Sequence, residues 1–194
     1  MAVPPTSVPP LASKDQLRAA LRAYRKLFSR NRSFIDDVDN ATHLAPLHSL
    51  IAESRIVAGY WPFGGEADDR PLLHYAEARG KTIALPRFAL GVCVMTFHSW
   101  VPAQMLETSR GYAMPLENAP QSDPDLILTP LIGFDRALNR LGQGQGHYDR
   151  AFLAYPSAIK VGIAWSAQEV AHIPTEPHDI PLDAVLTELE WITR

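Results

Sequence analysis

The chain has 194 residues, of which 46% are hydrophobic and 20% are charged, and its formal net charge is −3. This composition is typical of one globular domain that buries a proper core, and the small negative charge gives no electrostatic reason to expect nucleic acid or an anionic membrane as a partner. Cys93 is the only cysteine, which excludes an intrachain disulfide and fits a reducing compartment, so we expect a cytoplasmic protein.

The N-terminal segment is rich in proline, with four prolines in the first 12 residues. It lacks the charged start and apolar centre of a signal peptide, and no apolar run in the chain approaches the roughly 20 residues that cross a bilayer. We therefore predict a Pro-rich flexible tail over residues 1–13, one folded domain over residues 14–194, and no membrane partner.

A first helix is predicted over residues 14–30. Ser13 followed by Gln16 makes a capping-box signal, and apolar residues then recur at helical spacing from Leu17 to Phe28. The opposite side carries a cation in each turn, at Lys14, Arg18, Arg22, Arg25 and Lys26. By charge patterning alone, this row is typical of a solvated face.

The rest of the chain alternates between predicted strands and helices. Strands are predicted over 55–62, 81–88, 94–100, 126–134, 159–166 and 184–188, and helices over 43–53, 69–79 and 148–155. Such alternation implies right-handed crossovers and a mostly parallel sheet that is covered on both faces. We predict a single three-layer α/β/α domain, Rossmann-like and similar to the sugar-phosphate isomerase and CoA-transferase superfold.

The segment RLGQGQGHYDR, residues 140–150, places three glycines at alternate positions between a predicted strand and a predicted helix. Ligands bind at the carboxyl ends of the strands in a parallel sheet, and glycine-loop amides followed by a helix N-terminus suit an anion such as phosphate. The segment is not a Walker A loop and fits G-x-G-x-x-G poorly. A tight structural turn would account for the glycines equally well.

The residues beside the glycines strengthen the case for a phosphate ligand. Arg140 supplies a permanent guanidinium, and Asp149 supplies the hard oxygen that Mg²⁺ prefers. Cation, amides and metal ligand within ten residues are the parts of a nucleoside triphosphate site. Asp149 could instead cap the following helix, and the spacing alone does not exclude that structural role.

The segment PLIGFDRALNRLGQGQGHYDRAF, residues 130–152, resembles the signature of the 5-formyltetrahydrofolate cyclo-ligases, P-x-x-x-F-D-x-x-G-x-R-L-G-x-G-x-G-x-Y-D-R. KDQLR at 14–18 is similar to the opening K-x-x-L-R of the family, and EPHDIPLDAVLTE at 176–188 is similar to its closing pattern. The resemblance covers essentially the whole chain after the tail, so residues 14–194 are expected to form the cyclo-ligase catalytic domain.

The resemblance implies an enzyme that uses ATP and Mg²⁺ to close 5-formyltetrahydrofolate to 5,10-methenyltetrahydrofolate, releasing ADP and phosphate. The partners that it implies are these small molecules; the sequence leaves the oligomeric state open, and we expect a monomer. The ATP-binding residues that it implies are Lys14, Arg18, Arg140, Leu141, Gly142, Gln143, Gly144, Gln145, Gly146, His147 and Tyr148. Arg140 and Tyr148 are in addition expected to be catalytic, whereas Arg22, Arg25 and Lys26 remain assigned to solvent.

The resemblance further implies Asp149 and Asp179 as magnesium ligands. It implies substrate contacts for Glu66, Trp61, Met95 and His147, with Glu66 hydrogen-bonded to the pterin ring. A structural role without substrate contact stays open for three of these positions. Glu66 could be an exposed loop carboxylate, and Trp61 and Met95 could simply pack in the core.

The sequence departs from the family at Gln143, Gln145 and His147, where other residue types are common. These departures keep open a homologue that binds nucleotide and folate without catalysis. A different ATP-dependent or sugar-phosphate enzyme on a similar scaffold is a further alternative, because fold does not determine function.

Overall fold

The computed structural model describes residues 13–36, 38–88, 95–102, 104–109 and 112–194. The helices are α1 (Lys14–Phe28), α2 (Ala45–Glu53), α3 (Arg70–Glu77) and α4 (His147–Ala154). The strands are β1 (Ile56–Ala58), β2 (Thr82–Arg87), β3 (Thr96–Ser99), β4 (Glu107–Ser109), β5 (Tyr112–Met114), β6 (Gln121–Ser122), β7 (Leu126–Pro130), β8 (Gly133–Phe134), β9 (Arg140–Leu141), β10 (Ile159–Ile163), β11 (Ala184–Leu186) and β12 (Trp191–Ile192). The predicted tail, apart from Ser13, and Cys93 lie outside the described residues.

Eight strands form one sheet in the order β12-β11-β10-β7-β1-β2-β3-β6. The five central strands, β11, β10, β7, β1 and β2, are mutually parallel. The antiparallel pairings lie at the two edges, β11 with β12 at one edge and β2 with β3 and β3 with β6 at the other. The predicted mostly parallel sheet is confirmed.

Helices cover both faces of this sheet. Alternate residues of β7 point to opposite faces, so Leu126 and Leu128 belong to one core cluster and Ile127 belongs to another. The first cluster contains the buried residues of α2 and α3, and the second contains Phe152 of α4. The predicted α/β/α layering is therefore confirmed, with α2 and α3 on one face and α4 on the other.

The strand order reverses direction between β1 and β7. The chain leaves β1 through α3 to reach β2 on one side, and it leaves β7 through α4 to reach β10 on the other side. Because these helices lie on opposite faces, the loops that follow β1 and β7 diverge and leave a crevice at the carboxyl ends of the strands. This crevice is where a ligand site is expected.

The predicted strand over 126–134 is wrong in its second half. β7 ends at Pro130, and β8 pairs with β9 in a separate antiparallel ribbon. Helix α1 packs against this ribbon so closely that a Cβ at Gly133 would lie 2.6 Å from a methyl group of Leu21. The glycine thus allows the ribbon, which leads into the glycine loop, to contact α1 directly.

Most of the other predicted elements match observed ones with shorter ends, whereas α4 has the predicted length and lies one residue earlier. Helix α1 begins with the predicted capping box. The strand predicted over 55–62 ends at Ala58, since the N–H of Tyr60 donates to the carboxylate of Asp69 at 2.9 Å. The sequence did not predict the β4–β5 hairpin, β6, β9 or β12. In the described part of the chain, no helix is both long and apolar enough to span a bilayer.

Candidate active site

A cavity of about 390 Å³ lies at the carboxyl ends of the parallel strands. Its wall includes Tyr60 after β1, Phe88 after β2 and Leu131 after β7. The predicted site residues on this wall are Lys14, Arg18, Trp61, Glu66, Arg140, Leu141, Gly142, Gln143, Gly144, Gln145, Gly146, His147, Tyr148, Asp149 and Asp179. The fold thus collects residues from both ends of the chain around one space.

The glycine loop, residues 142–146, joins β9 to α4 and requires its glycines. Gly144 has φ +99° and Gly146, the N-cap of α4, has φ +64°, both in the left-handed region that side chains disfavour. Arg18 holds the loop to helix α1, because its Nε donates to the carbonyl of Gly142 at 3.0 Å. A Cβ at Gly144 would lie 3.3 Å from the Arg18 guanidinium carbon, so the loop backbone and this cation approach closely.

Two ion pairs stand beside the glycine loop. Arg140 Nη2 donates to Asp149 Oδ2 at 2.9 Å, and Lys14 Nζ donates to Asp179 Oδ2 at 2.6 Å. The Nε of Arg140 is buried and finds no acceptor among the described residues. Lys14 and Arg140, two of the cations predicted to bind phosphate, are therefore already paired with the carboxylates predicted to bind the metal.

The position of Asp149 argues against its helix-capping alternative. It lies in the first turn of α4, but no side chain caps that helix. The carboxylate instead pairs with Arg140 and accepts the backbone N–H of Ile180 at 3.5 Å. This last contact brings the segment of Asp179 next to Asp149.

The two carboxylates fit a magnesium ion that is completed by phosphate and water. Mg²⁺ is usually held by one or two carboxylates together with substrate phosphates, and no group of three or more His, Cys, Asp or Glu side chains is assembled among the described residues. Burial acts to raise the pKa of Asp179, but hydrogen bonds from Lys14 and the Glu176 N–H outweigh it and hold that pKa below its ordinary value. Asp179 is therefore ionised at neutral pH, as a metal ligand requires.

Glu66 lies on the wall after β1, and the alternative of an exposed loop carboxylate is wrong. Its side chain is 4% exposed and accepts the N–H of Phe63 at 3.3 Å. Burial raises the pKa of Glu66 to about 7, against the opposing effects of Arg25, the Phe63 N–H and Gln143. A carboxylate with such a strongly raised pKa on a cavity wall is a candidate functional residue.

The prediction that Arg25 faces solvent is wrong. Its side chain is 3% exposed and lies 3.5 Å from Glu66, measured from Nη1 to Oε1. The sequence signal that was missed is its spacing, since Arg25 follows Leu21 by four residues and shares the buried side of α1 with Leu17. Arg22 is exposed, as predicted, but its guanidinium donates to the side chain of Gln143 at 2.8 Å.

Aromatic rings that the sequence analysis did not assign form part of the cavity wall. Phe63 contacts Tyr112 edge to face at 5.0 Å between ring centroids, and Tyr112 lies 5.6 Å from Phe88. Phe88 in turn lies 4.9 Å from the ring of His147. The row joins segments far apart in the chain, so local spacing carried no signal of it.

The structure places the remaining predicted residues as follows. Trp61 is on the wall and packs edge to face against Trp100 at 5.8 Å. Met95 is fully buried in the same core cluster as Phe97 and is not on the wall, which matches the core alternative left open for it. Tyr148 is on the wall, and burial raises the pKa of its phenol well above the ordinary value.

Comparison with known proteins identifies similar sequences and a similar structure. Residues 10–188 match the model of the 5-formyltetrahydrofolate cyclo-ligase family. The chain is 32% identical to a Haemophilus influenzae 5-formyltetrahydrofolate cyclo-ligase over 142 residues, which cover 69% of this chain and 76% of that one. It is 32% identical to the Escherichia coli K12 protein of the same name over 145 residues, covering 71% and 80%. The NMR structure of Aquifex aeolicus 5,10-methenyltetrahydrofolate synthetase superimposes with a TM-score of 0.65 at 27% identity, covering 91% of this chain and 92% of that one.

Proposed function

Because the chain belongs to the 5-formyltetrahydrofolate cyclo-ligase family, we propose that it cyclises 5-formyltetrahydrofolate to 5,10-methenyltetrahydrofolate with ATP and Mg²⁺, releasing ADP and phosphate. The observation that carries this proposal is one cavity whose wall carries two chemically different sets of groups. We call the part of the wall with the glycine loop, Lys14 and Arg140 the nucleotide end. We call the part with the buried carboxylate of Glu66, which the side chain of Gln143 contacts, the folate end.

In the proposed reaction, phosphorylation converts the formyl oxygen, which is a poor leaving group, into phosphate, which leaves readily. The formyl oxygen attacks the γ-phosphorus of ATP, so an O–P bond forms as the bond to ADP breaks. The folate N10 then attacks the activated formyl carbon, phosphate departs with the former formyl oxygen, and N10 loses its proton. The protein contributes mainly by positioning the two substrates and neutralising charge.

At the nucleotide end, the loop amides and the N-terminus of α4 are proposed to bind phosphate oxygens together with Lys14, Arg18 and Arg140. The Nε of Arg140, for which the described part of the chain offers no acceptor, supports this role, since a buried donor gains an acceptor when phosphate binds. Asp149 and Asp179 would hold Mg²⁺, which neutralises phosphate charge when it is bound. Binding then replaces each ion pair of the free protein by a cation on phosphate and a carboxylate on the metal.

At the folate end, Glu66 is proposed to accept two N–H groups of the pterin side by side, as an ionised carboxylate can. Trp61 and the ring of His147 would pack against the apolar parts of the substrate. Tyr148 stays protonated because its pKa is raised, so its hydroxyl can donate a hydrogen bond to the oxygen that carries the phosphoryl group. The predicted cytoplasmic location and monomeric state stay predictions.

One assay tests the proposed function. The near-ultraviolet absorbance of the methenyl product is followed after 5-formyltetrahydrofolate is added, with ATP and Mg²⁺ each present or omitted. We expect the band to grow only when both are present. Binding of both ligands without growth would instead favour the inactive homologue, and failure to bind the folate would favour another α/β enzyme.

A further inference from the structure

Arg25 makes a three-way contact on the side of α1 that faces the protein interior. Nη1 donates to the carbonyl of Leu131 at 3.1 Å, and Nη2 donates to the carbonyl of Gly64 at 3.3 Å. Nη1 also lies 3.5 Å from Oε1 of Glu66. The guanidinium therefore joins the loop after β7 to the loop after β1, on the two sides of the crevice that holds the cavity.

This contact is costly for a residue with only a packing role. Burial lowers the pKa of the Arg25 guanidinium, and its Nε has no acceptor among the described residues. A buried ion pair is seldom more stabilising than well-packed apolar side chains of the same volume. The arginine is better explained by what its charge does for Glu66.

We propose that Arg25 is a positioning residue that holds the carboxylate of Glu66 in place and in its acceptor form for the folate ring. This inference rests on the proposed function, in which Glu66 receives the pterin N–H groups. An ionised carboxylate can accept two such groups, whereas the neutral acid presents one O–H donor in place of an acceptor. Arg25 favours the ionised form because its positive charge opposes the effect of burial.

The other groups around Glu66 make Arg25 the decisive neighbour. Tyr60, Asp69 and Tyr148 all act electrostatically with Glu66, and burial raises the pKa of each well above its ordinary value. The two phenols are therefore neutral near pH 7, and the Asp69 carboxyl is shifted toward its neutral form. Gln143 and the Phe63 N–H favour the carboxylate without carrying charge. Among the described residues, Arg25 forms the ion pair of Glu66.

The test compares Arg25→Met and Arg25→Lys with Lys26→Met, a control that removes an exposed cation from the same helix. For Arg25→Met we expect the KM for 5-formyltetrahydrofolate to rise about fivefold near pH 7, since raising the pKa of Glu66 from about 7 by about one unit lowers its ionised fraction from about one half to about one tenth. Raising the pH should restore the KM, with kcat and the KM for ATP within about twofold of wild type. Arg25→Lys keeps the charge and should recover part of the affinity.

The pH profile of the KM separates positioning from a purely structural role. A structural role would lower the melting temperature and the active fraction at every pH and leave the profile unmoved, which would overturn the inference. If Arg25→Met does not fold, the same profile measured on Arg25→Lys decides, with a midpoint above that of wild type expected. Wild-type enzyme without turnover would contradict the proposed function itself, whereas active wild type with unmoved variant profiles would contradict only the role of Arg25.

Discussion

The two ends of the cavity hold their charged groups in opposite ways. At the nucleotide end, the Lys14–Asp179 and Arg140–Asp149 pairs are 2.6 and 2.9 Å long, and both lie on the cavity wall. At the folate end, the separation between Arg25 and Glu66 is 3.5 Å, and both side chains are almost fully buried. The result is a lowered pKa for Asp179 and a pKa of about 7 for Glu66.

This difference shows how one cavity can serve two kinds of ligand. The close pair with Lys14 keeps Asp179 ionised, and both close pairs can exchange partners when a charged nucleotide and its metal enter. A carboxylate in a dry environment is less stable in its ionised form but binds neutral N–H donors more strongly, because water does not compete and the local dielectric is low. Four variants test the contrast, in order of expected effect.

The largest effect is expected at the nucleotide end from Asp149→Asn. Loss of the charge removes a proposed metal ligand and leaves Arg140 without its partner, so kcat should fall by at least about a hundredfold, the scale of losing one group that stabilises transition-state charge. Thermal stability should fall much less. The measurements are the dependence of kcat on Mg²⁺ and the melting temperature. A strongly lowered melting temperature, with a normal Mg²⁺ dependence in the fraction that stays folded, would return Asp149 to a structural role.

At the folate end, Glu66→Gln should show the energetic cost of the buried carboxylate. A pKa of about 7 in the folded chain against an ordinary value of 4.5 corresponds to about 3 kcal/mol. Because the folded pKa is raised, wild type keeps this stability below about pH 4.5 and loses it as the pH rises through 7. Relative to wild type, the variant should therefore gain up to about 3 kcal/mol between these limits in denaturant unfolding. A difference that is constant with pH would contradict the raised pKa.

Lys14→Met should weaken ATP binding and leave the folate end unchanged. The variant loses one charge-assisted hydrogen bond to phosphate, which is worth about 1.5–3 kcal/mol, or roughly a ten- to hundredfold rise in the KM for ATP. Lys26→Met removes an exposed cation from the same helix and should behave as wild type. Equal effects of the two variants on the KM for ATP would show that only net charge matters.

The smallest effect is expected from the glycine loop backbone, tested with a matched pair of glycines. Gly144 and Gly80 both have positive φ, but Gly80 ends the turn after α3 and has open space around it. Alanine at either site should cost about 1 kcal/mol of stability. Only Gly144→Ala, whose Cβ would approach Arg18, should also raise the KM for ATP, by a few-fold. A raised KM in Gly80→Ala would mean that the effect comes from general destabilisation.

Local signals predicted the parts of the fold that depend on neighbouring residues. The capping box at Ser13 and the run of alternating helices and strands led to the correct helix α1 and to the parallel sheet. The signature over 130–152 led to the glycine loop and to most of the residues now found on the cavity wall. These signals work because helix spacing, capping and loop glycines obey rules over a few residues.

Local signals did not predict the features that depend on contacts between distant segments of the chain. Arg25 was assigned to solvent because charge patterning considers one helix in isolation, whereas its surroundings are the loops at Gly64 and Leu131. The strand predicted over 126–134 was too long because a continuous apolar run does not show where a helix packs against it, as α1 does at Gly133. Met95 was given a substrate contact, but it precedes β3, which pairs with β2, and lies fully buried in the core instead.

The sequence by itself determined the α/β architecture, the family and the glycine loop, since each is encoded in local pattern and residue type. Only the tertiary structure decided which charges are paired, how deeply Glu66 is buried and why Arg25 lies beside it. Burial and pairing depend on groups that are far apart in the chain, and they set the local dielectric in which a charge interacts. The pKa of Glu66 is therefore a property of the folded chain and cannot be predicted from the residues next to it in the sequence.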